Sequence, residues 1–170
     1  MKNRRILGII FGVIALAINV LIIVESCIGG EGSGSQSLGF TNFIVSIIEK
    51  VAPNASILED QEHLHSVIRK LFGHFLLFGL SGIFTTLSAL FFNSVDEKKR
   101  NIILLSSSFG FGLLLATISE IIQYFIPGRA GVPTDVIIDF TGYFLFATIT
   151  FGIYYLIYYN INLRQEKEGE

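Results

Sequence analysis

Charge is scarce in this 170-residue chain, and cysteine is almost absent. Asp, Glu, Lys and Arg make up 15% of residues against 51% hydrophobic, with a mean hydropathy of +0.63. That balance excludes an ordinary soluble globular domain. Twelve Lys and Arg face 14 Asp and Glu for a formal charge of −2, so bulk charge offers no basis for holding nucleic acid. The single cysteine, Cys27, excludes an internal disulfide framework. There is no Cys-x-x-Cys, and only His63, His65 and His74 supply imidazole, so neither a structural metal nor a cofactor is expected. No internal repeat is visible.

What the chain has instead is long apolar runs. Ile6 to Val24 carries no charge and follows Lys2, Arg4 and Arg5. Its length fits a membrane span better than a signal-peptide core, and Glu25-Ser26 before Cys27 is a poor lipoprotein-type cleavage site. Further spans are expected over about 71–92, 102–126 and 136–159. The fold class that follows is all-α, an integral membrane domain of four transmembrane helices. Gly73, Gly79, Ser81, Gly82 and Ser88 offer small surfaces for close helix contact.

Residues 25–70 form the long loop of this layout. Cys27 to Gln36 is Gly/Ser-rich and reads as a flexible linker. Phe40, Phe43, Ile44, Ile47, Ile48 and Val51 then recur at helical spacing. The stripe suits a helix lying in the membrane interface, or one packed on the protein's own surface. Pro53 ends it. Ser56 and Glu59 have the form of a capping box for a short helix over Gln61 to Arg69. On that helix His63 and His65 face different ways and read as solvated.

Basic residues set the orientation. Lys2, Arg4, Arg5, Lys98, Lys99, Arg100, Arg164 and Lys167 fall on one side of the four spans, which predicts that both termini are cytoplasmic. Residues 25–70 and the loop Pro127–Thr134 then face outward. Tyr154, Tyr155, Tyr158 and Tyr159 cluster where an interfacial aromatic belt belongs.

The polar residues inside the spans are the functional signal. Glu120 and Gln123 (i, i+3) share a helix face before the break at Pro127-Gly128, and Asp135 and Asp139 (i, i+4) share a face after it. A charge at membrane depth costs roughly 2.5–3.5 kcal/mol or more, so Glu120 is unaffordable without partners. At about 1.5 Å per residue, His74, Glu120, Gln123 and Asp139 reach one layer within roughly 10 Å of the outer interface. Arg129 and Lys70 supply positive charge, and a guanidinium suits bidentate binding of phosphate or carboxylate. Structural roles remain open for most of these residues. Asp135 can cap a helix, Arg129 can snorkel, and Arg69 and Lys70 can anchor at the interface. His74 can bond a backbone carbonyl, and Gln123 can tie two helices. Ser119 is expected to face away from Glu120, which leaves no nucleophile.

At these residues the chain resembles the VanZ-like family of small membrane proteins. The likeness rests on Arg69-Lys70 with Gly73-His74-Phe75, on Ser119-Glu120-Ile121-Ile122-Gln123, and on Phe125-Ile126-Pro127-Gly128-Arg129. It continues through Asp135-Val136 and Asp139-Phe140-Thr141-Gly142, covering roughly Arg69 to Gly142. Asp139 departs from it, standing where family members often carry Asn. The resemblance implies a bacterial cytoplasmic membrane and a link to glycopeptide (teicoplanin) susceptibility, without supplying a reaction. It gives Lys70, His74, Glu120, Gln123, Arg129, Asp135 and Asp139 as the family-type site. On this reading Lys70, Gln123, Arg129, Asp135 and Asp139 bind an anionic head group of a membrane lipid or lipid-linked envelope precursor. Alternatives are an enzyme using His74 and Glu120 as acid and base, a metal variant on His74, Glu120 and an aspartate (for which one histidine is weak evidence), and a small proton-coupled transporter.

Overall fold

The computed structural model describes residues 2–52, 58, 60–92 and 98–168, with side chains except at 2, 30–37, 61, 98–101 and 162–168. The described residues form helices α1 (Lys2–Cys27), α2 (Gly30–Val51), α3 (Gln61–Ile68), a π-helical segment (Arg69–Leu76), α4 (Leu77–Phe92), α5 (Lys98–Phe125) and α6 (Pro133–Glu168). Four stretches are long and apolar enough to cross a membrane: Asn3–Cys27, Glu62–Phe92, Ile102–Phe125 and Pro133–Ile161. Their outer faces carry large apolar side chains, as with Val13 and Ile137 at 62% and 65% exposure, which suits contact with lipid tails.

Three boundaries differ from the sequence expectation. First, α3 and the second span are one continuous helix rather than two pieces. The Arg69–Leu76 turns loosen to π geometry and carry the chain through without a break. Second, α6 begins at Pro133, three residues early, because proline suits the first turn of a helix; it also runs on through the charged tail to Glu168. Third, the Gly/Ser-rich stretch is helical from Gly30 rather than a linker. Glycine costs about 1 kcal/mol there, so this half borrows its helix by propagation from the amphipathic Phe40–Val51 half.

The Ser56–Glu59 capping box and Pro53 lie outside the described residues. Asp60 serves as N-cap of α3, its side chain accepting from the His63 backbone N–H at 2.9 Å. His63 is exposed, whereas His65 is half-buried rather than solvated. In the α2 stripe Phe40, Phe43, Ile47 and Val51 are exposed, while Ile44 and Ile48 are half-buried. The Phe40 ring meets the Phe72 ring at 4.9 Å.

At the centre is α4, packed against α1 on one side and α6 on the other, with α5 completing the bundle. Ile22, Phe78, Leu115, Ala116, Tyr143 and Ala147 make its core. Lipid offers helices no hydrophobic reason to associate, so small residues and interhelical hydrogen bonds do that work. Ser81 donates to Asn19 Oδ1 at 2.5 Å, Ser88 to the Gly8 carbonyl at 3.0 Å, and Ser108 meets the Tyr143 hydroxyl at 2.9 Å. At the opposite end of the bundle from the α5–α6 turn, Arg4 donates to the Leu90 carbonyl and to Tyr154.

Two glycines let α6 reach the second span. A Cβ on Gly82 would stand 2.5 Å from the Tyr143 carbonyl oxygen, and one on Gly142 would collide with the Phe75 carbonyl oxygen. Gly142→Ala is therefore expected to lower stability by about 1–3 kcal/mol, the usual range for overpacking. Gly110→Ala, where nothing lies within 4 Å, is expected to be neutral or slightly stabilising. Thermal unfolding of the two variants in one detergent checks the pair.

Candidate functional site

The site begins where α5 stops. Phe125 is its last residue, and the Arg129 N–H closes a turn on the Ile126 carbonyl at 3.1 Å. Gly128 takes φ 75°, a left-handed conformation that a side chain disfavours. Gly131 packs so tightly under the end of α5 that an added Cβ would stand 2.5 Å from the Glu120 carbonyl oxygen. This folded-back turn lets the Val132 N–H donate to Glu120 Oε2 at 3.0 Å. The other carboxylate oxygen, Oε1, accepts from Gln123 Nε2 at 3.1 Å, and Gln123 Oε1 accepts from Arg129 at 2.7 Å. Glu120 reaches Arg129 through an amide bridge.

The second span and α6 close the other side. His74 Nδ1 lies 3.0 Å from Asp139 Oδ1 and 3.9 Å from Glu120 Oε1. Lys70 Nζ, one helical turn before His74, lies 3.1 Å from Asp135 Oδ1, one turn before Asp139. The Lys70–Asp135 contact is ionic rather than a well-aligned hydrogen bond, since Asp135 Oδ1 has no hydrogen-bond partner. Glu120, Gln123, Asp135, Asp139 and His74 are all buried, with Asp139 at 0% exposure. Lys70 and Arg129 are half-buried at the rim.

These contacts replace several structural roles left open by the sequence. His74 bonds a carboxylate, not a backbone carbonyl. Gln123 links α5 to its own following turn, not two helices. The Asp135 side chain faces Lys70, and it is the Asp135 backbone N–H that bonds, to the Val132 carbonyl at 2.8 Å. Ser119 lies around the helix from Glu120, as expected, but on a face the site also uses. It is buried, with Oγ 2.7 Å from Ser26 Oγ and within 3.3 Å of Gln123 Nε2, because residues four apart share a helix face.

Beside this network lies a cavity of about 450 Å³, within the range of small-molecule sites. Its polar wall carries His74, Ser119, Gln123, Arg129, Arg69, Ser26 and Glu25; Leu21, Phe40, Ile68, Phe72 and Phe78 line much of the rest. Burial, and after it the neighbouring Arg69, pushes the Arg129 guanidinium below its ordinary value, against the pull of Glu120, Glu25 and Asp135. It stays charged in any case.

Sequence reasoning missed the α1 contribution, Glu25 and Ser26. The available signal was a polar pair at the end of an uncharged run, at the depth assigned to Glu120. Ser26 keeps its hydroxyl in place by donating to the Ile22 carbonyl at 2.8 Å.

A profile of the VanZ/LLP1 family matches residues 10–158. The chain belongs to that family. No curated protein and no solved structure matches it. The match takes in α1 and α2 as well as the later spans that carry the motifs, so the family unit includes the helix that supplies Ser26 to the cavity.

The amide bridge yields a stability prediction. Gln123→Leu removes the donor to Glu120 Oε1 and the acceptor for Arg129, with an expected loss of about 1–3 kcal/mol. Gln123→Glu is expected to be worse, because a third carboxylate then stands against Glu120. Thermal melts of the two variants in the same detergent check the order.

Proposed function

We infer that this VanZ-family membrane protein binds the anionic head group of an envelope lipid or lipid-linked wall precursor at the outer leaflet of the bacterial cytoplasmic membrane. The observation that carries the reading is a pair of guanidinium groups, Arg69 and Arg129, on one wall of a largely apolar cavity. A phosphate with an attached hydrocarbon chain matches both halves. Arg129, positioned by Gln123, offers a fork to phosphate oxygens, and the Ser26, Ser119 and Gln123 polar groups satisfy the rest of the head group. The apolar walls and the exposed stripe of α2 take the chain. Holding such a precursor competes with a glycopeptide drug for its target, which connects the pocket to teicoplanin tolerance.

A hydrolytic or transfer reaction on the same head group has one observation in its favour. The Ser119 hydroxyl and the His74 imidazole open onto one cavity, so the nucleophile that sequence reasoning lacked has a candidate.

Mass spectrometry of the chain purified gently into nanodiscs with envelope lipids separates the two. Retained, unaltered anionic lipid is expected, with Arg129→Lys lowering retention about tenfold through loss of the bidentate geometry. Retention by Arg129→Lys equal to that of the unsubstituted chain rules out the clamp. Turnover that disappears in Ser119→Ala and His74→Ala moves the assignment to catalysis.

A further inference from the structure

Three side chains from three different helical segments converge behind the polar wall of the cavity. His74 comes from the π-helical segment, Glu120 from α5 and Asp139 from α6. One ligating atom of each lies within 4.8 Å of the other two, and all three residues are buried. An independent observation points to a missing partner. Asp139 is fully buried and its Oδ1 faces His74, yet among the described residues Oδ2 of the same carboxylate has no hydrogen-bond partner. A buried carboxylate oxygen without a donor is a standing destabilisation, which a cation held by both oxygens of the Asp139 carboxylate removes.

We propose that His74, Glu120 and Asp139 form a binding site for one divalent transition-metal ion. The donor set, one imidazole nitrogen and two carboxylate oxygens, suits zinc, manganese or ferrous iron; calcium and magnesium favour oxygen ligands and retained water. Charge favours the same conclusion. A neutral imidazole with two carboxylates carries −2, which a divalent ion cancels, whereas a proton on His74 offsets only half. At membrane depth, where uncompensated charge is penalised, that difference favours the divalent ion.

The spacing fits a site close to assembly. Around a tetrahedral ion with bonds of about 2.1 Å, ligand atoms stand about 3.4 Å apart. The His74–Asp139 and His74–Glu120 separations, 3.0 and 3.9 Å, bracket that value, and the Glu120–Asp139 pair lies within 4.8 Å, so a small closure completes the triangle. Glu120 also has the outer support that metal-binding carboxylates show, from the Val132 N–H and Gln123 Nε2. Three protein ligands leave at least one position open. His74 borders the cavity, so water or an oxyanion entering there completes the coordination.

The test uses the full chain in detergent, stripped with chelator and titrated with zinc alone, with magnesium in excess as competitor. About one zinc per chain is expected by elemental mass spectrometry after removal of unbound ion. Asp139→Asn and Glu120→Gln keep side-chain shape and are expected to weaken binding by at least roughly 100-fold, the upper end of what losing an outer-shell partner alone costs. Ser107→Ala, on the exposed face of α5, is expected to bind like the unsubstituted chain. Zinc binding that is absent, displaced by magnesium, or unchanged in both carboxylate variants overturns the proposal. Either variant can fail to fold, so cobalt(II) added to the unsubstituted chain gives a variant-free reading. Ligand-field bands that zinc abolishes are expected, and a spectrum identical to cobalt in buffer overturns the site.

Discussion

The Glu120 carboxylate at membrane depth is the constraint on which the rest of this bundle depends. An isolated charge there carries a penalty of roughly 2.5–3.5 kcal/mol or more, and three features remove it. The turn after α5 folds back so that a backbone N–H, that of Val132, reaches Oε2. Gln123, three residues on, faces Oε1 from the same helix. His74 approaches from the second span. Each feature dictates something larger. The fold-back requires Gly128 in its left-handed conformation and Gly131 under the end of α5. It leaves so little chain before Pro133 that α6 must start at once, which puts Asp135 and Asp139 into the same layer as Glu120.

Packing and site chemistry are joined through the backbone contact of α6 with the second span. Gly142 lies against the Phe75 carbonyl, one residue after His74 and three after Asp139. The same close approach that substitutes for a hydrophobic driving force in lipid therefore sets the His74–Asp139 separation at 3.0 Å. A side chain at position 142 would push the imidazole and the carboxylate apart. The small residues here serve the site as much as the bundle, and the interhelical hydrogen bonds of Ser81, Ser88 and Ser108 hold the rest of α4 in register with its neighbours.

Much of this was legible in the residues themselves. Long, predominantly apolar runs marked the four spans, because backbone in lipid must be helical. Polar residues on three of them, counted at helical rise from the span ends, pointed to one layer. What stayed hidden depended on helix phase and on neighbours without motifs. Ser119 lies about 100° around the helix from Glu120, so a one-stripe view sends it elsewhere. The cavity, however, takes in the face that Ser119 shares with Gln123. The π-helical segment breaks the phase count between Lys70 and His74, and no composition rule marks it. Glu25 and Ser26 end a span that is uncharged from Ile6 to Val24, and only the tertiary contact of Ser26 with Ser119 and the cavity both residues line show their use. The helix over Gly30 to Gln36 runs against local propensity and is visible only in the fold.

The charge of the site ties its two faces together. Arg69, Lys70 and Arg129 supply three positive groups near the cavity, and Glu25, Glu120, Asp135 and Asp139 supply four negative ones. With neutral His74 the sum is −1, an unfavourable setting for an anionic head group despite the two guanidinium groups on the wall. The acids are not placed evenly, however. Glu120 and Asp139 sit deep behind His74, while Arg69 and Arg129 face the cavity, so field lines from the cations reach an incoming anion first. A divalent ion between the two deep carboxylates brings the sum to +1 and removes the opposing field at its source. On the proposed readings, anion binding at the wall and cation binding behind it would be favourably coupled, each raising the affinity for the other by the same factor, since such linkage is reciprocal.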